Sequence, residues 1–441
     1  MNLKVLDCTI RDGGHLNKWN FSHSCVKASY YAALKSGVDY FEVGYRFPAT
    51  ITGLGDFGYC DDGLLGTLLK ESDKCRILVM IDAGKSDGSM FEDNKGGSVI
   101  KGVRIASYPY ELEKALKLVE DIKAKGYEVF LNLMAACELK KEHYDILRRW
   151  DEKSIISAVY FADSFGSFLP SDITNMIRSL KDAGFENIGF HAHNNLQLAF
   201  ANALKSIEEG AGFVDASIYG MGRGSGNLPI EVLLSYLEKE GNRSYNAVPY
   251  LDVIERFYIN LYRKYDWGYK IQALLGGIFN IHPYYVENLF KRKSYTTDEI
   301  CNALKAVKEK CPVSYSAEKL AEALEGRFYT PIAEEKAERL CREINDRLKI
   351  VRAGDAPDSG EKSLFKLHKG RKALVLANGP SLLEYKDEIL RMISDESPVT
   401  IGVNYLYDSF VPDYHMFISR KRFLKYCGCI HKNSVLLVPV Y

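Results

Sequence analysis

Residues 3–15 read Leu-Lys-Val-Leu-Asp-Cys-Thr-Ile-Arg-Asp-Gly-Gly-His. A short apolar strand runs into a cation, Arg11, a carboxylate, Asp12, and an imidazole, His15. Two glycines lie between them, and glycine lets a backbone bend tightly and come close to a ligand. Taken alone, the stretch fits a solvated turn as well as a reactive site. A second pair sharpens it. His191 and His193 stand two apart at the end of an apolar run, so on a strand both imidazoles share one face. Two histidines on one face, with a carboxylate from elsewhere, can hold a divalent ion and leave coordination positions open. Asp12 supplies that carboxylate if the chain closes its last strand onto its first. Two histidines satisfied by hydrogen bonds are the competing reading.

Two further stretches carry chemistry. Gly220-Met-Gly-Arg-Gly-Ser-Gly-Asn-Leu-Pro229 alternates glycines with other residues and places Arg223 among them. Asp163-Ser164-Phe165-Gly166 offers the Ser164 hydroxyl to a substrate carboxylate, or equally to a helix N-terminus.

The elements that must position these residues follow from the apolar pattern. Strands are expected at Leu3–Ile10, Tyr40–Gly44, Arg76–Asp82, Gly102–Ala106, Glu128–Leu133, Ala158–Ala162, Asn187–His193 and Phe213–Ile218. Helical stretches such as Glu111–Lys125 and Leu196–Glu209 lie between most of them. Eight such units in about 240 residues predict an α/β fold, a (β/α)8 TIM barrel, over residues 1–245. An open doubly wound sheet is disfavoured, because no GxGxxG follows the first strand. In that barrel the reactive residues sit at the carboxyl ends of strands, facing the active-site mouth. Tyr45 and Arg46, after the second strand, face the same way.

Residues 246–350 read as a helical extension, with helices at Asp298–Lys310, Ser316–Leu324 and Pro331–Leu348, the last opened by a Thr330-Pro331 cap. Residues 351–365 read as a polar linker. Residues 366–441 read as the start of a Rossmann-like α/β domain, with strands at Lys372–Leu376, Thr400–Asn404 and Ser434–Val438.

Composition narrows the function. The chain has 441 residues, with 58 basic and 58 acidic side chains. No basic field exists to hold nucleic acid or an anionic membrane. No apolar run is long enough for a transmembrane helix, and no signal peptide is evident. Ten scattered cysteines, without a CxxC pair, fit a reducing cytoplasm better than a disulfide framework or a zinc ribbon.

The ordered set TxRDGxH (residues 9–15), ADS (162–164), HAHxN (191–195) and GMGxGxGN (220–227) resembles the metal-dependent aldolases acting on 4-hydroxy-2-oxo acids. These belong to the barrel superfamily that includes HMG-CoA lyase and isopropylmalate synthase. The resemblance covers roughly residues 3–240. It implies Asp12, His191 and His193 as ligands of Mn2+, with Mg2+ or Co2+ as substitutes. It implies Arg11 as the cation facing an enolate and His15 as the acid/base. It also implies a small 2-oxo acid and an aldehyde as substrates of a carbon–carbon lyase. Ser164, Arg46 and Arg223 are the expected substrate-binding residues, one of the two arginines receiving an anionic group on the aldehyde. A tyrosine from His282-Pro283-Tyr284-Tyr285 is a candidate assistant. The glycine loop lacks the glutamate and cysteine that mark the synthase and CoA-lyase loops, which weighs against a Claisen-type acyl-CoA enzyme. The family's usual partner is an aldehyde dehydrogenase, and the added C-terminal domain argues against that pairing; a homo-oligomer is compatible with the reading. Asn378-Gly-Pro-Ser381 resembles the opening loop of sialyltransferase-like and pterin-pyrophosphokinase-like Rossmann domains. The remaining alternative is therefore a non-catalytic barrel serving a nucleotide- or sugar-related C-terminal domain.

Overall fold

Eight strands close a parallel barrel: β1 (Lys4–Asp7), β2 (Tyr40–Tyr45), β3 (Arg76–Asp82), β4 (Ile100–Ser107), β5 (Glu128–Leu133), β6 (Ile156–Asp163), β7 (Ile188–Ala192) and β8 (Phe213–Ala216). β1 pairs with β8, setting Lys4 beside Phe213 and Leu6 beside Asp215. The computed structural model describes residues 3–242, 244–291, 297–310, 315–324 and 368–437, except 378, 380, 407, 408, 419, 428 and 429. Nearly every strand residue is buried, as expected for strands covered on both faces, and this is why the runs are apolar rather than alternating.

Helices cover the outside: α1 (Thr9–Asn17) and α2 (His23–Lys35) after β1, α3 (Asp62–Leu68) after β2, α4 (Leu112–Ala124) after β4, α5 (Lys141–Arg149) after β5, α6 (Pro170–Asp182) after β6, α7 (Ala199–Glu208) after β7 and α8 (Ile230–Lys239) after β8. Between β3 and β4 the regular structure is only the three-residue turn Gly88–Met90.

The barrel interior is layered with the strand period of two. Tyr40, Phe130, Tyr160 and Phe213 form an aromatic plug with Leu6, Cys8, Leu78 and Ala158. Two residues further along β2, β5 and β8 stand Glu42, Asn132 and Asp215. The plug therefore gives way to a polar layer just below the mouth.

One expectation is corrected. The first strand was expected to run through Ile10 into a glycine turn. Instead β1 ends at Asp7 and α1 starts at Thr9, so Arg11, Asp12 and His15 lie on a helix. The Asp7 carboxylate accepts the Thr9 backbone N–H at 2.9 Å and the Thr9 hydroxyl, supplying an acceptor for the first orphan donor of the helix. Gly13 and Gly14 serve packing here, not turning. A Cβ on Gly13 would lie 2.7 Å from Met221 Sδ, and one on Gly14 would lie 2.1 Å from the Trp19 ring.

The chain divides into two units, Met1–Leu289 with Ile300–Leu320, and Phe290–Glu299 with Ala321–Tyr441. The expected helices near 298–310 and 316–324 appear as Thr297–Lys310 and Ala317–Leu324. The helix expected at Pro331–Leu348 and the linker lie outside the described residues. In the second unit, β9 (Ala373–Ala377), β10 (Val399–Val403), β11 (Tyr414–Met416) and β12 (Val435–Leu437) form a parallel sheet in the order β12-β11-β10-β9. β11 escaped the sequence reading because it is three residues long with His415 at its centre. Of the Asn378–Ser381 loop, Asn378 and Pro380 lie outside the described residues.

Candidate active site

Closure of β8 on β1 brings the start of α1 against the loop after β8. The Asn227 side-chain amide donates to Asp12 Oδ2 and, at 3.1 Å, to the Met221 carbonyl. Arg11 Nη1 donates to Asp12 Oδ1 at 3.0 Å. Gly222 fits between these groups only because it lacks a side chain. A Cβ there would lie 2.5 Å from Asn227 Nδ2 and 2.8 Å from Asp12 Oδ2. β7 delivers His191, and His193 follows it, bridged antiparallel to Asn227. The two imidazoles stand nearly perpendicular, with ring centroids 5.0 Å apart.

Asp12, His191 and His193 each offer a ligand atom, and these atoms all lie within 4.8 Å of one another. Their protonation suits a cation. Burial pushes the Asp12 carboxyl up, but the Arg11 charge holds it well below the usual carboxylate range. Burial lowers His193 to about 3, so its imidazole is neutral at neutral pH. The Nδ1 of His191 lies 2.8 Å from Asp215 Oδ2. A carboxylate only accepts, so Nδ1 carries a proton, and in the neutral ring the lone pair is on Nε2. That Nε2 is buried and without a hydrogen-bond partner. An orphaned, buried lone pair beside a carboxylate and a neutral imidazole fits a divalent cation. Cys8, His191 and Asp215 also cluster within 4.8 Å. That set is less suited to a metal, because Asp215 Oδ2 already accepts from Arg104 and from His191 Nδ1.

The polar layer of the barrel supports this arrangement. Fully buried Arg104 donates to Asp215 at 2.6 Å and Asn132 at 3.1 Å, and its guanidinium lies 3.9 Å from the centroid of the Tyr160 ring. Arg11 Nε donates to Glu42 at 2.7 Å. The remaining nitrogen, Arg11 Nη2, is buried and makes no hydrogen bond. It is a rigidly held donor beside the cluster. His15 is part-buried, with its ring edge-on to Trp19 and Tyr45. Burial, then the nearby Arg223 charge, lowers it well below its ordinary value. It is neutral at neutral pH and can accept a proton.

The other expected residues divide. Arg223 shares the mouth with His15 and His193, and its charge lowers both. Arg46 is held elsewhere: Nη2 donates to the Cys60 carbonyl at 2.7 Å and to Asp62 at 2.6 Å, with the guanidinium over the Phe91 ring. The Ser164 hydroxyl accepts the Ala135 N–H at 2.8 Å, tying the loop after β6 to the loop after β5. Tyr285 receives the Ser316 N–H and Tyr284 is exposed, whereas buried His282 lies within reach of the Arg223 charge. Glu42, Arg104, Asp215 and Asn227 were missed as functional residues. Their signal was a charged or amide side chain inside an apolar strand, or closing a glycine run.

The HMGL-like family model matches residues 100–255. The 4-hydroxy-2-oxovalerate aldolase of Bacillus thuringiensis is 30% identical over 242 residues, covering 54% of this chain and 70% of the relative. The aldolase of the same name from Geobacillus genomosp. 3 is 32% identical, covering 54% and 71%. The oxaloacetate decarboxylase of Mycobacterium tuberculosis is 27% identical, covering 54% and 70%. Among solved structures, the N-terminal domain of a presumed aldolase from Bacteroides vulgatus superposes with a TM-score of 0.60 at 31% identity, covering 67% of this chain and 98% of that one. The carboxyl transferase domain of Rhizobium etli pyruvate carboxylase shares the fold, with a TM-score of 0.55 at 15% identity, covering 77% and 64%. With relatives at this identity spanning more than two thirds of their own length, the chain belongs to the HMGL-like family as a homologue of the 4-hydroxy-2-oxovalerate aldolases.

Proposed function

We propose that this protein is a divalent-metal-dependent aldolase that cleaves or forms a 4-hydroxy-2-oxo acid, with pyruvate enolate and an aldehyde as the two halves. The observation that carries this is the juxtaposition of Asp12, His193 and the bare Nε2 of His191 with Arg11 Nη2, which makes no hydrogen bond and stands 4.0 Å from Asp215 Oδ2. Asp12, His191 and His193 would hold the ion, which we take to be Mn2+. When bound, the ion supplies Lewis acidity toward the carboxylate and keto oxygens of the 2-oxo acid.

The protein's own residues do the rest. Neutral His15 accepts the proton of the 4-hydroxyl as the C3–C4 bond breaks and the aldehyde leaves. The electron pair of that bond becomes the enolate, whose negative charge faces the fixed Arg11 Nη2 donor. Glu42 and Asp12 pin the other Arg11 nitrogens, so the guanidinium needs no reorganisation as charge develops. Protonation at C3 completes pyruvate, and the reverse sequence condenses pyruvate with an aldehyde. The Ser164 hydroxyl, already an acceptor from Ala135, retains its own proton for a substrate oxygen.

The test needs only pyruvate and metal. Incubated with Mn2+ in deuterium oxide, the protein is expected to exchange the C3 hydrogens of pyruvate, read by proton NMR. With aldehydes added, 4-hydroxy-2-oxo acids should appear by mass. Condensation of acetyl-CoA with a 2-oxo acid, without pyruvate exchange, would overturn the proposal in favour of a Claisen enzyme.

A further inference from the structure

We propose that Arg223 binds an anionic group, a carboxylate or a phosphate, on the aldehyde partner, so that acidic aldehydes are the substrate class of this site. The inference rests on the aldolase reading above.

Three observations carry it. The first is position. Arg223 follows Gly222, which abuts Asp12 and Asn227. Its carbonyl accepts the Gly226 N–H at 2.9 Å, the Gly226 carbonyl accepts the Asn194 N–H at 2.9 Å, and the Gly224 carbonyl accepts the Gly268 N–H at 3.2 Å. With the Asn227 amide donating to the Met221 carbonyl at 3.1 Å, the backbone that carries this arginine is fastened on both sides of it.

The second is unspent charge. The other arginines at this end of the barrel are paired: Arg11 with Asp12 and Glu42, Arg104 with Asp215, and Arg46 with Asp62. Among the described residues no carboxylate lies in salt-bridge range of Arg223, and its Nε is buried without a hydrogen-bond partner. A part-buried guanidinium without a counter-charge is a ready receptor for an anion.

The third is the surroundings. The Arg223 charge reaches His15, Tyr45, Tyr108, His193 and His282. None of the five is a carboxylate, so none supplies Arg223 with a counter-charge. Of the carboxylates on the Tyr108 side, Asp82 is held by Lys85 at 2.7 Å, and burial raises the Glu111 carboxyl. These contacts leave the Arg223 charge uncompensated.

In the condensation direction pyruvate C3 loses a proton and bonds to the aldehyde carbon, whose oxygen takes a proton. The anionic tail of the aldehyde then rests on Arg223, beyond the bond being made.

The test compares kcat/KM for chain-matched neutral, carboxylated and phosphorylated aldehydes with pyruvate and Mn2+. The wild type should favour one acidic class over its neutral match by about 10- to 100-fold, as a charge-assisted pair allows. The two acidic arms identify which anion is read. Arg223→Ala should collapse that ratio toward one, and Arg223→Lys should keep part of it. A ratio that Arg223→Ala leaves unchanged overturns the assignment, and so does a wild type indifferent to charge. Pyruvate C3 exchange, which needs no aldehyde, separates the two levels. Exchange without acidic preference overturns the arginine assignment alone, whereas absence of exchange overturns the aldolase reading as well.

Discussion

Asp215 touches no substrate in the proposed reaction, yet it decides which nitrogen His191 presents. By accepting from Nδ1 it leaves Nε2 bare, and Arg104 holds it in place. Outer partners of this kind contribute about 10- to 100-fold to metal affinity. Asp215→Asn is therefore expected to weaken Mn2+ binding by about that factor, and Asp12→Asn to weaken it further. Competition against a chromogenic chelator measures both. A second residue-scale prediction concerns Asp163. Burial raises its carboxyl to about 7 despite N–H donation from Ser167 and Phe168. The folded chain thus keeps a proton that the unfolded chain releases near the ordinary value of 3.8. The stability from this group is complete below that value and is lost as pH rises through about 7. Asp163→Asn removes the dependence. The difference in urea midpoint, variant minus wild type, should grow in the variant's favour from pH 4 to pH 7.

At the scale of elements, the loop after β8 is shaped by what its glycines exclude. Gly222→Ala forces a Cβ into the Asn227–Asp12 contact and must displace one of them. The barrel strands are untouched, so thermal stability should fall by no more than about 1–2 kcal/mol. Mn2+ affinity and pyruvate exchange should both drop at least about tenfold; calorimetric titration and thermal melts on one sample separate the two effects. The same loop shows what was legible in the sequence. The glycine spacing, the HxH pair and the apolar strand runs were readable because each follows a short-range rule. The helical setting of Arg11, Asp12 and His15 was not. Two adjacent glycines signal a turn locally, and only the distant Met221 and Trp19 show why a helix needs them. The fates of Arg46 and Arg223 were equally hidden. Both follow strand ends, and the difference lies in Asp62, a partner set by the path of the chain rather than by spacing.

For the molecule as a whole, the proposed chemistry uses residues of the first unit alone. We propose that residues 366–441 form a separate domain. Their removal is then expected to leave pyruvate exchange within about twofold of the full chain, while a barrel that only served as a scaffold would lose whatever activity the full chain has. Equal numbers of acidic and basic side chains leave the molecule without a net field, so any preference for anionic substrates is a local property of the mouth. The pairing of β1 with β8 has a consequence in time. Asp12 and Asn227 are 215 residues apart along the chain, and His193 is bridged to Asn227. Loop closure over such a distance is slow compared with local pairing. During synthesis Asp12 and the neighbouring Arg11 emerge long before His191, His193 and Asn227, so the nascent chain carries this carboxylate without those partners until the loop after β8 has left the ribosome. The cluster of Asp12, His191 and His193 is complete only at the closing step, and if it holds the proposed cation, an incompletely made barrel cannot react.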